Sequence, residues 1–122
     1  MTAKDDARRV IEAHRSLHYR GWGQPWYRSD HVDLARERAE LLADDSLDVI
    51  VKVARWCRTI TLERGRTSYG LKHDAERQIP GIHYVSNGQV IVAMLLAGYG
   101  IKKGSGFNPG FSKPRPTEEP WD

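Results

Sequence analysis

Apolar side chains return every three to four residues along much of the chain, the spacing that lines one face of an α-helix. Ala7, Val10, Ile11, His14 and Leu17 form the first such stripe. Thr2 with Asp5 makes a variant capping pair in front of it, and Gly21, Gly23 and Pro25 stop it near Tyr19. The loop that follows carries Tyr19, Trp22, Trp26 and Tyr27, aromatics that either plug the core or form a stacking or protein-binding surface. Ser29 or Asp30 caps a second helix running to about Ala43. Leu34, Ala35, Arg38, Leu41 and Leu42 lie along one side of it, and Arg36, Glu37 and Glu40 face solvent. Asp44 and Asp45 break the pattern, and Ser46 caps a third helix with Leu47, Ile50, Val53, Ala54, Cys57 and Ile60 on its stripe. Its β-branched content makes a strand the competing assignment, but a run of about fourteen residues is long for a strand.

Beyond Gly65, Thr67 or Ser68 caps a short fourth helix with Leu71, Ala75 and Ile79 on its inner side, closed by Pro80-Gly81. The next boundary has the strongest local signals. Ser86 and Gln89 form an S-x-x-Q capping box, Val85 and Val90 fit a hydrophobic staple, and Gly98 fits a left-handed C-terminal residue. Val90–Ala97 is apolar on every side, which predicts a central buried helix, with a buried strand as the alternative. From Gly100 on, prolines and glycines replace helical periodicity. The predicted fold is mainly α: about five helices around a short buried apolar helix, with an irregular basic C-terminal arm. Residues 1–111 are expected to form a single domain, with Phe107 and Phe111 tucking the arm against the body. Residues 112–122 form a flexible Pro-rich tail.

Composition narrows the class. Hydrophobic residues make up 39% and charged residues 29%, ordinary for a globular protein. The longest apolar run, Val90–Ala97, is far short of the ~20 residues that span a bilayer. The charged start lacks a signal-peptide pattern, and the single cysteine, Cys57, rules out an internal disulfide. A cytoplasmic location and no membrane partner are expected. Charge is placed asymmetrically: residues 1–50 hold eight Lys/Arg against ten Asp/Glu, residues 51–122 eleven against six. That imbalance suggests a basic face that meets a polyanion, unless the acidic first half folds over it.

Catalytic and metal-binding patterns are weak. His14 and His18 stand at i and i+4, a spacing that can share a zinc ion, with His31 or Cys57 as third ligand only if the fold joins them. Cys57 with His73 is a conceivable nucleophile and base, but Cys57 sits on the core stripe, where a free thiol behaves as a small hydrophobe. Ser68 with Lys72 is better explained by capping. The glycines at 98, 100, 104 and 106 fit neither phosphate-loop spacing, although Lys102 and Lys103 beside them can touch phosphates. Residues 64–97 read as helix, turn, helix, yet the second helix is too apolar to read base edges. No enzyme, metal or cofactor is expected on these grounds.

Ser68-Tyr69-Gly70-Leu71-Lys72-His73, Glu76-Arg77, Tyr84-Val85-Ser86-Asn87-Gly88, Ala93 and Ala97-Gly98-Tyr99 form a distinctive series, continued by Gly106-Phe107-Asn108-Pro109-Gly110-Phe111. In them the chain resembles small proteins encoded by bacteriophages, plasmids and integrative elements. The likeness covers about residues 67–111 and brings no catalytic residue with it. It implies a mobile-element setting, where small proteins bind DNA or block host defence complexes, CRISPR effectors among them. Capping explains part of the series, whereas Tyr69, Lys72, His73 and Arg77 share a polar side of the fourth helix that folding alone does not require. The expected function is therefore a non-enzymatic binding protein whose basic half engages nucleic acid or a host nucleoprotein complex, as a counter-defence inhibitor. A small DNA-binding regulator and an enzyme using Cys57 and histidine are the alternatives. Arg64, Arg66, Tyr69, Lys72, His73, Arg77, Lys102 and Lys103 are the candidate contacts, and Trp22, Trp26 and Tyr27 a secondary patch.

Overall fold

A computed structural model describes residues 2–23, 34–102 and 108–112. It is mainly helical: α1 (Ala3–Ala13), α2 (Leu34–Leu42), α3 (Asp44–Cys57), α4 (Ser68–Gln78) and α5 (Asn87–Leu96). Four two-residue strands join them, β1 (Leu17–His18) with β2 (Gly21–Trp22) and β3 (Gly100–Ile101) with β4 (Phe111–Ser112), both pairs antiparallel. No described helix is long and apolar enough to cross a membrane. The N-cap expected at Ser29 or Asp30 lies outside the described residues.

The buried helix at the centre forms as its local signals require. Ser86 Oγ accepts from the Gln89 N–H, and the Gln89 side chain accepts from the Ser86 N–H. Val85 and Val90, the staple pair, are both fully buried. At the far end the Tyr99 N–H reaches Met94 O and the Gly98 N–H reaches Leu95 O, both at 3.0 Å. That pair of bonds is a Schellman closure, and it needs the positive φ of 103° that Gly98 supplies. Every residue of α5 from Asn87 to Met94 is buried. Full burial of each large apolar side chain there stabilises by about 1.5–3 kcal/mol. One core cluster joins residues from all five helices, with Ile11, Leu41, Ile50, Val53 and Ala75 packed around α5.

Several boundaries differ from expectation. Helix α1 ends at Ala13, not near Tyr19, because His14 turns to an extended conformation and the chain reverses into the β1–β2 hairpin. His14 and His18 therefore do not share a helix. Their spacing is that of a cap and a strand. The freed carbonyls of this turn converge on Arg38 of α2. Its Nη1 donates to the carbonyls of His14, Arg15 and Leu17, and its Nη2 to that of Ile11, at 2.6–3.2 Å.

Helix α3 begins at Asp44, so Asp44 and Asp45 extend it instead of breaking it. Carboxylates in a first turn are favoured by the helix dipole, and Lys4 reaches Asp44 at 2.6 Å. Ser46 is thus not a cap but a buried helical residue, accepting from Gln89 Nε2 at 3.0 Å. Glu37 does not face solvent either. It is 8% exposed, with Arg20 Nε 2.8 Å from its Oε1 and His18 Nδ1 3.7 Å from its Oε2. Burial of that charge is tolerable because the hairpin brings cationic and polar partners to it.

The arm is not wholly irregular. Gly100 pairs with Ser112 and Ile101 with Phe111, Thr67 bridges to Gly110, and the Ser68 N–H donates to Pro109 O at 2.8 Å. Asn108 Oδ1 accepts from Asn87 at 2.7 Å. Residues 108–112 therefore clasp the starts of both α4 and α5, with Pro109 and Phe111 buried. Phe107 and residues 113–122 lie outside the described residues.

Candidate binding surface

Helix α4 turns Leu71 and Ala75 into the core, which leaves Tyr69, His73 and Arg77 on its outer crest. Thr67 takes the N-cap conformation without a side-chain bond. Ser68, expected as a possible cap, is instead the first helical residue, and its buried Oγ has no hydrogen-bond partner. The first N–H of α4, that of Ser68, is met from outside by the arm through the Pro109 carbonyl.

Along the crest the side chains form a continuous series of contacts. The rings of Tyr69 and His73 meet edge to face, with centroids 4.6 Å apart. His73 Nδ1 lies 3.3 Å from Glu76 Oε1, and Lys72 Nζ lies 2.8 Å from Glu76 Oε2. That ammonium also stands 4.5 Å from the centroid of the Tyr84 ring, a cation–π arrangement. In the sequence Tyr84 stands out only as the first residue of the Tyr84–Gly88 series, not as a contact candidate. It is 57% exposed and Tyr69 is 55% exposed, the exposed large hydrophobics among the described residues.

The carboxylates of α4 change the charge reading. Asp74 pairs with both Arg66 and Arg77, and Glu76 pairs with Lys72. Among the described residues the cations of this face are thus answered by the carboxylates of α4 and not by the acidic N-terminal half. Partial burial pushes the Glu76 carboxyl up. The Lys72 ammonium, the Val85 N–H at 2.9 Å and the neighbouring His73 outweigh it, so Glu76 titrates below the usual glutamate range. A depressed native value means the charged form stabilises the fold above the ordinary glutamate pKa of about 4.3, and that contribution fades as pH falls through the native value. Glu76→Gln is accordingly expected to lower stability at neutral pH, with the gap to the parent closing in acid. Denaturant midpoints across pH test this, and a gap independent of pH would contradict it.

Arg64 and Lys102 behave differently. Both are exposed, and among the described residues neither meets a carboxylate. They line one groove of about 510 Å³ together with Arg66, Leu62 and Phe111. The Lys102 stem passes over Gly110, its Cδ 3.7 Å from where a Cβ would stand. Lys103 lies outside the described residues. The candidates thus divide into an aromatic, mixed-charge crest and a cationic groove, with Arg66 linking them through Asp74.

The remaining candidates do not gather. Trp22 is half-buried against the core, its ring 5.8 Å from that of His14, and Trp26, Tyr27 and His31 lie outside the described residues. Cys57 is fully buried, and burial pushes its thiol far above the ordinary range, whereas His73 stands on the exposed crest. A thiol so placed is a poor nucleophile. Among the described residues no three His, Cys, Asp or Glu side chains are grouped to hold a metal ion. Helix α5 is enclosed and offers no face to a DNA groove. The chain matches no protein-family model, no curated protein and no solved structure.

Proposed function

We propose that the protein is a non-enzymatic binding module of a mobile element, working in the cytoplasm, that docks its α4 crest on a protein surface of a host nucleic-acid-handling complex and inhibits it. The observation that carries this reading is the exposure of Tyr69 and Tyr84 at the two ends of one contact series through His73, Glu76 and Lys72. Tyrosine and arginine are enriched among the side chains that dominate protein interfaces, tyrosine because it buries much area with only two rotors lost. Asp74 and Glu76 lie among the cations, which weakens attraction to a run of phosphates and suits a partner of mixed charge. The mobile-element setting rests on the resemblance in residues 67–111. Burial of Cys57 supports the non-enzymatic part.

Affinity capture from bacterial lysate, with and without nuclease, tests the docking. A specific polypeptide is expected to persist after nuclease and in raised salt, and to fall about tenfold or more for the double variant Tyr69→Ala with Tyr84→Ala, the loss of two anchor side chains. Capture that vanishes with nuclease, or that ignores both tyrosines, would overturn the reading.

A further inference from the structure

We propose that the groove between the Arg64–Arg66 turn and the arm is a subsite for one nucleotide of a single strand. Its phosphodiester sits between Arg64 and Lys102, and its sugar and base lie over Leu62. The site shares only Arg66 with the surroundings of the α4 crest and stands whether or not that crest docks on a protein.

Three features point to this ligand. Among the described residues Arg64 and Lys102 are the groove's cations that meet no carboxylate, while Arg66 is held by Asp74 and by the Gly70 carbonyl and acts as wall. An engaged guanidinium has little left for a ligand, whereas a free guanidinium forks onto two phosphate oxygens and a free ammonium adds a point charge. Glu63 also lines the groove. Among the described residues Arg64 and Lys102 face one carboxylate there, so the groove keeps a net positive charge that suits an anionic phosphodiester.

The shape agrees. At about 510 Å³ the groove exceeds the need of a bare anion, and its lower wall is apolar, with Leu62 half-buried and Phe111 buried. Gly65, at φ 83°, lines it with bare backbone and open space where a side chain would stand, so a ligand can approach closely on that side.

The test uses the purified full chain and a fluorescent oligothymidylate, with inorganic phosphate, a methylphosphonate strand and a phosphotyrosine peptide as competitors. The strand is expected to bind at low salt with a log–log salt slope of about −0.7, that of a single phosphate on a single strand. Arg64→Gln with Lys102→Gln should weaken it about tenfold or more, the loss of charge-assisted bonds, and Glu63→Gln should tighten it. Both cations are exposed, so these variants keep the fold. Tyr69→Ala with Tyr84→Ala should leave oligonucleotide binding unchanged, which separates this site from the docking crest. No binding at low salt, indifference to the Arg64 and Lys102 changes, or equal competition by the neutral strand would overturn the proposal. So would equal competition by inorganic phosphate or stronger binding of the phosphopeptide.

Discussion

Gly88→Ala is expected to destabilise the protein by about 3 kcal/mol, with a fall in Tm of about 10 °C or more. A Cβ at this position would stand 1.9 Å from the His18 carbonyl oxygen and 2.7 Å from that of Tyr19. Both obstacles are backbone, so no rotamer change relieves them. The Gly88 N–H also donates to Tyr19 O at 3.0 Å, which fixes the β1–β2 hairpin against the first turn of α5. Alanine gains about 1 kcal/mol of helix propensity over glycine, so the sign rests on the clash. Separating hairpin from helix loses that bond and the packing of Leu17 on the core, and the steric term wins. Thermal and urea unfolding of the single variant decide the matter. A neutral or stabilised Gly88→Ala would mean that hairpin and helix are not held at this distance.

Arg38→Met is the second large effect, about 2–4 kcal/mol of lost stability from removing charge-assisted bonds to half-buried carbonyls. The guanidinium serves four carbonyls of the segment that leaves α1, and methionine keeps much of the stem while supplying no donor. Arg38→Lys is expected to recover only part of the loss, because one ammonium cannot span the positions that a planar fork reaches. Denaturant midpoints of the three proteins provide the measurement. Equal stability of the Lys and Arg forms would show that charge alone, without the fork, closes the turn.

These two residues mark where the sequence was readable and where it was not. The caps of α5 lie within five residues of the groups they serve, and Ser86, Gln89, Val85 and Gly98 announced them locally. Arg38 looked like one more member of a helical stripe, since its partners lie more than twenty residues earlier in the chain. The hairpin gave no signal for a related reason. Its loop residues, Tyr19 and Arg20, keep negative φ, so no Asn-Gly or Asp-Gly pair betrays the turn. Gly88 was legible as part of a cap, whereas its need for an absent side chain appears only when the hairpin lands on it.

The candidate surface was half legible. Helical spacing placed Tyr69, His73 and Arg77 on one side of α4. A count of charges made the C-terminal half strongly basic, yet counting cannot show that Asp74 takes up two arginines while Glu76 takes up Lys72. Exposure of Tyr84 depends on the path of residues 82–86, which no periodicity governs. Convergence of Arg64 with Lys102 depends on β4 returning to β3.

The clasp made by residues 108–112 bears on how the protein is born. Its contacts reach back to Thr67 and Asn87, and Asn87 in turn binds the carbonyl of Arg20. During synthesis the ribosome must therefore release the segment up to residue 112 before these joints can close, so assembly of this half is a late event on the nascent chain.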